Sequence, residues 1–220
     1  SILARIHYVV RVDPHQPLKY DLADIQKKII AIGRTWKDEL REYLVDHFGE
    51  EKGIAYASLY GDAFPISYVN DFDPRTADYD VGHIEELKNQ EDQPLAMSFY
   101  RPLGDMSGML CFKVFRPSHT IPLSDIIPML EHMGLRIIGE RPYQVSFADG
   151  HEVWINDFSM VYSYGCAFEI EKVKDIFQQA FDRVWHGEAE DDGFNQLVLG
   201  AQLNWRDITI LRAYAKYLRQ

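Results

Sequence analysis

The spacing of apolar residues changes twice along this 220-residue chain, and those two changes limit its fold more than any single motif does. From Leu22 to about residue 90 the apolar positions recur every three or four residues, as on one face of a helix. From Leu95 to Tyr162 they fall into short runs rich in Val, Ile, Phe and Tyr, bounded by Gly and Pro, as in strands. From Val173 onward the helical spacing returns, with Val173, Ile176, Phe177, Ala180, Phe181 and Val184 on one stripe. A chain built this way is α+β, with a sheet in its middle and helices before and after it.

Residues 2–12 alternate and read as a strand, closed by Pro14 and Pro17. Asp21 is placed to cap one long helix through Leu22, Ile25, Ile29, Ile32, Trp36, Leu40, Leu44 and Phe48, with a bend at Gly33 and a stop at Gly49. Residues 53–70 read as a short helix broken near Pro65. Asp71–Asp80 reads as an acidic loop, and Val81–Lys88 as a further short helix. The middle region is expected as strand 95–101, strand 109–116, a helix from Leu123 to Met133 capped by Ser124 and stopped by Gly134, strand 135–147 bent at Pro142, an Asp149-Gly150 hairpin turn, and strand 153–162. With the helix after Val173 the order is β-β-α-β-β-α. The acidic run Glu188–Asp192 reads as a solvated linker, followed by helices from about Phe194 and Arg206. The predicted organisation is a mixed segment over 1–90, a β-β-α-β-β-α domain over 91–186, and a helical connector over 187–220.

Composition excludes several classes of function. The chain carries 34 acidic and 23 basic side chains, a net charge of -11, so a sequence-blind grip on nucleic acid phosphate is not expected. No apolar run approaches the ~20 residues that cross a bilayer, and no membrane partner is expected. The 2 cysteines, Cys111 and Cys166, give neither a disulfide framework nor a cysteine zinc site, and a cytoplasmic location is the expectation. The chain opens inside a strand-like pattern without Met and closes inside a helical one, which reads as a segment of a longer polypeptide.

A search for chemistry finds no catalytic, cofactor-binding or metal-binding constellation. Neither G-x-G-x-x-G nor G-x-x-x-x-G-K-[ST] is present, nor H-E-x-x-H, nor G-x-S-x-G. His7, His47 and His132 stand singly within elements. Cys111 sits between apolar neighbours as a structural thiol. Asp71, Asp73, Asp78 and Asp80 lack the EF-hand spacing. Trp36 and Trp185 fall on apolar stripes, and Trp205 is placed as a docking anchor before the last helix. Arg206, Arg212, Lys216 and Arg219 read as a basic face, solvated or turned to an acidic neighbour. By its residues alone, the chain is a binding, regulatory or assembly module.

Several strings together resemble a known family. They are Met109–Arg116 (MLCFKVFR), Leu123–Ile138 (LSDIIPMLEHMGLRII) with Glu140-Arg141-Pro142-Tyr143, Val153–Phe158 (VWINDF), Asp192–Leu199 (DGFNQLVL) and Trp205–Gln220 (WRDITILRAYAKYLRQ), with Ala4–Val12 and Trp36–Leu40 in support. The chain resembles the large bacterial NAD-specific glutamate dehydrogenases over its whole length. The resemblance implies a piece of their N-terminal, ACT-like regulatory region, with an ACT-like (ferredoxin-like) antiparallel sheet packed with helices. It implies no catalytic residue and no cofactor in this segment, and NAD for the parent enzyme, which oxidises L-glutamate to 2-oxoglutarate and ammonia. It implies as partners the rest of the same polypeptide, a homo-oligomer and an amino-acid effector. ACT domains often bind amino acids at the loop after the first core strand, commonly with a glycine there. Here that loop, Pro117–Pro122, has no glycine. Ser118, His119, Thr120 and Ser124 are the polar groups a ligand would meet at the helix N-terminus. The missing glycine tilts the expectation toward an architectural role, with an amino-acid sensor as the alternative.

Overall fold

A computed structural model of the chain describes residues 21–90, 94–102, 108–165 and 168–219; the side chains of 27 and 29–32 also fall outside that description. The expected strand over 2–12, His7, Gly104 and Cys166 lie outside the described residues.

Helix α1 (Leu22–Gly33) begins where the Asp21 carboxylate accepts the Ala23 N–H at 2.8 Å. The single helix expected over 22–48 is in fact two. Thr35 opens α2 (Trp36–Phe48) with a reciprocal cap: its hydroxyl accepts the Asp38 N–H, and the Asp38 carboxylate accepts the Thr35 N–H at 3.0 Å. The apolar stripe continues across the break because it marks a face, not the continuity of one helix. Gly49, at φ +84°, turns the chain into α3 (Glu50–Tyr60), which is followed by α4 (Ile66–Asp71). The expected acidic loop over 71–80 is largely helix α5 (Pro74–Leu87). Asp73 accepts the Thr76 N–H at 2.7 Å and Pro74 takes the first helical position, a start signal hidden among the aspartates.

The sheet has strands β1 (Ala96–Tyr100), β2 (Leu110–Pro117), β3 (Leu135–Ser146) and β4 (Glu152–Tyr162), in the order β1-β2-β4-β3 with every neighbouring pair antiparallel. Helix α6 (Leu123–His132) links β2 to β3, so these strands run parallel with β4 between them, a split β-α-β unit. Helix α7 (Ile170–Trp185) follows β4. The fold is therefore α+β with a ferredoxin-like sheet, as expected. Gly150 takes the left-handed turn position at φ +87°, and its N–H donates to the Phe147 carbonyl at 3.0 Å. The irregularity expected at Pro142 lies instead between Ile137 and Gly139. Pro142 keeps its register opposite Asn156 because β3 is an edge strand, which can spare an N–H. Nor does Ser124 cap α6: Pro122 holds the cap position without a side-chain bond, and the Ser124 hydroxyl donates to Asp125 at 3.0 Å. The C-terminal part is a 3-10 turn over 193–196, then α8 (Leu197–Gly200) and α9 (Trp205–Leu218).

Both faces of the sheet are covered. On the first, Phe99, Phe112, Phe158 and Met160 pack with Ile126 and Leu130 of α6, Val173, Phe177 and Phe181 of α7, and Ile208 of α9. On the second, Ala96, Phe115, Val153 and Ile155 pack with Leu40, Leu44, Tyr68, Val81 and Ile84 from the helices that precede the sheet. The backbone joins in, since the Ser146 N–H donates to the Ala63 carbonyl at 3.0 Å.

Candidate functional site

The loop that leaves β2 is exposed at Ser118, His119 and Thr120 and is tied to β4 by backbone and side-chain bonds. Ser118 has φ +65°, and its N–H donates to the Glu152 carbonyl at 2.9 Å. The His119 N–H donates to the Pro117 carbonyl at 2.8 Å. The hub is Asn156 of β4, which is 1% exposed. Its Nδ2 donates to Thr120 Oγ1 at 2.8 Å and to Glu140 Oε1 at 2.6 Å, while its Oδ1 accepts the Ile121 N–H at 3.3 Å. The structure thus brings Ser118, His119, Thr120 and Ser124 onto one exposed corner. Thr120 already serves the fold through Asn156, and Ser124 is taken up by Asp125. A dinucleotide pyrophosphate needs a glycine-rich strand-to-helix turn. The β2–α6 junction, Ser118 to Pro122, has no glycine and does not fit that group.

A second polar cluster lies between the sheet and the preceding helices. Lys113 of β2 is 1% exposed, and its Nζ donates to Asp80 Oδ2 of α5 at 2.5 Å. The same ammonium lies 3.7 Å from the centre of the Phe72 ring and 5.4 Å from that of Tyr68. The Tyr68 hydroxyl also donates to Asp80. Across the sheet the Tyr100 hydroxyl donates to Asp157 Oδ1 at 3.0 Å, and Tyr143 donates to Asp71 Oδ2 at 2.7 Å. Burial pushes the Asp157 carboxyl up to about 6, against the pull of Lys113 and of the Tyr100 hydroxyl. Burial first, and then Asp80, raise Tyr68 well above the usual phenol. Nearby, burial pushes the Cys111 thiol up to about 11, which leaves it protonated and unreactive near neutral pH.

This cluster was not among the expected site residues. The signal was present: in MLCFKVFR the charge of Lys113 stands between apolar neighbours, with Arg116 near the strand's end, and a strand covered on both faces must pair such a buried charge. On the same helix, Asp78 meets His47 Nδ1 at 2.9 Å, and burial raises its carboxyl.

The basic face expected on the last helix divides in two. Arg212 is buried: its Nε donates to Asp192 Oδ2 at 2.7 Å and its Nη2 to Asn195 Oδ1 at 2.9 Å. Lys216 reaches Glu190 at 2.7 Å. The run read as a solvated linker is therefore the acidic half of a clamp on α9. Burial alone would raise the Asp192 carboxyl, but the bonds from Arg212 and the Phe194 N–H outweigh it and hold it below the usual range. His132 is tied to Asp191 at 2.9 Å. Among the described residues no group of side chains is arranged to hold a metal ion, and no helix is long and apolar enough to cross a membrane.

Comparison with known proteins places this geometry. Four family models match in succession: glutamate dehydrogenase ACT2 domain over residues 1–37, helical motif 2 over 43–87, ACT3 domain over 94–173, and helical motif 3 over 189–220. The ACT3 match takes in the whole sheet with α6, and the helical motif 2 match takes in most of the helices on its second face. The chain is 42% identical over its full length to the NAD-specific glutamate dehydrogenase of Halomonas elongata and 40% to that of Pseudomonas aeruginosa, covering 14% of each. Against the enzyme of the same name from Mycobacterium tuberculosis it is 32% identical over 203 residues, 89% of this chain and 12% of the relative.

Proposed function

This chain belongs to the NAD-specific glutamate dehydrogenase family, and on that premise we propose that it is a non-catalytic architectural module of such an enzyme. The parent reaction would be oxidation of L-glutamate to 2-oxoglutarate and ammonia, with NAD bound outside this segment. The observation that carries the reading is the closure of the sheet on both faces by the chain's own helices. At the 117–124 corner Asn156, Thr120 and the Ile121 N–H bond one another, so Thr120 is committed to the fold. The reading brings with it a cytoplasmic, homo-oligomeric parent whose remaining polypeptide is this segment's partner.

Edge-to-edge pairing of sheets is a poor route to that oligomer. On β1 the Gln178 amide takes both the Phe99 N–H at 3.1 Å and the Met97 carbonyl at 3.2 Å, and β3 carries Pro142 and an irregular register.

The alternative reading, amino-acid sensing at the 117–124 corner, has one observation in its favour: α6 begins without a side-chain cap. A thermal-shift panel of the common amino acids, 2-oxoglutarate and nucleotides separates the two. A ligand at 100 times its dissociation constant adds about 2.7 kcal/mol. The architectural reading predicts a flat panel. A selective rise in midpoint that Thr120→Ala or Ser124→Ala abolishes would overturn it in favour of a sensor.

A further inference from the structure

We infer that the outward face of α9 is a docking surface for an amphipathic helix from the remainder of the same dehydrogenase polypeptide. The inference rests on the architectural reading and adds the surface through which the module is joined to the rest of the enzyme. One side of α9 is already used: Ile208 is buried in the first core, and Arg212 is clamped by Asp192 and Asn195. The opposite side is apolar as well. Ile210, Tyr214 and Tyr217 follow one another at i, i+4 and i+7 with 54%, 63% and 73% exposure, flanked by Leu211 and Leu218 at 41% and 81%. A surface helix normally turns polar residues to water, and a helix that is apolar on both sides is one that is buried on both sides.

The surface has more than a stripe. Toward the helix N-terminus the line continues into Arg206, whose guanidinium stands 5.1 Å from the Trp205 ring and meets no carboxylate among the described residues. Beside it, α7 and the start of α9 line an open pocket of about 350 Å³ bounded by Gln179, Asp182, Arg183, Asn204, Trp205 and Arg206. The complementary element therefore has apolar residues at helical spacing and a carboxylate at the end that meets Arg206.

The length of polypeptide outside the chain selects the occupant. The chain covers 14% of its full-length relatives, so most of such a polypeptide lies outside it, and a tethered segment reaches the stripe at the high effective concentration that a covalent link provides. A second copy of this chain seated on the stripe is the outcome that a cross-link between two chains would report.

The test uses the full-length polypeptide that carries this sequence. Tyr214→p-benzoylphenylalanine and Tyr217→p-benzoylphenylalanine are each irradiated, and the cross-linked peptides are mapped. Lys172→p-benzoylphenylalanine, on the exposed side of α7, is the control. The expected result is a cross-link within one chain, at single-chain mobility, to a peptide outside these 220 residues, at least ten times more abundant than from the control position. A cross-link between two chains would overturn the inference, as would a yield no greater than the control's. The architectural reading fails separately, by a ligand effect that depends on Thr120, which would leave the cross-link in place.

Discussion

Lys113 compensates one carboxylate, and Asp80 takes it at 2.5 Å; Asp157 is the surplus charge of the cluster. Removing the ammonium leaves Asp80 buried without its cation, which costs about 3–5 kcal/mol. Lys113→Met should therefore lower stability by that amount in urea unfolding, and adding Asp80→Leu should recover much of it. Two independent, additive losses would contradict the pairing. Asp157 has the opposite character. Its carboxyl is near 6 in the folded chain and near 3.9 in an unfolded one, so between those values the folded state binds the proton more tightly. For this group, stability is greatest below pH 4 and falls as pH rises to 6, by about 2–3 kcal/mol in all. Asp157→Asn should remove that slope, which the difference in thermal midpoint between the two proteins from pH 4 to 7.5 would reveal.

At the scale of elements, α2 and α3 approach each other closely at Gly53. A Cβ on Gly53 would stand 2.4 Å from Val45 Cα and 2.6 Å from the Leu44 carbonyl oxygen, both backbone atoms that can yield only if the helices separate. Gly53→Ala should destabilise the chain by at least 2 kcal/mol, on the order of other overpacking changes. Gly33 has nothing within 4 Å, and Gly33→Ala should be neutral or stabilising by less than about 1 kcal/mol. Denaturant melts of the two variants side by side check both. Elements with a single strong period were readable from the residues. The stripe of α7, the four strands and the β3–β4 turn lie close to where spacing and Asp149-Gly150 place them. The failures came where a cap competes with a stripe. Thr35 and Asp38 divide a continuous stripe, and Asp73-Pro74 starts a helix whose Ala77, Val81, Ile84 and Leu87 already share a face. The four aspartates over 71–80 mask that period with charge.

For the whole molecule, the sequence made plain that a sheet lies between two helical regions, and it carried the family resemblance. It did not reveal that the earlier helices close the second face of the sheet, because a strand's two faces cannot be assigned to partners without their tertiary contacts. That is also why the Lys113–Asp80 pair was missed: its halves are 33 positions apart and each looks unremarkable in its own element. At the 117–124 corner, Asn156 of β4 holds Thr120 and the Ile121 N–H, a tie across 35 or more positions that the loop's own residues do not announce. If the helices over 22–87 are a permanent cover and not a separable domain, the cover and the sheet unfold together. Differential scanning calorimetry of the 220-residue chain tests this most directly. The account predicts one transition over α2–α7, with calorimetric and van't Hoff enthalpies equal. Two resolved transitions, the later one unchanged when residues 1–90 are removed, would contradict it.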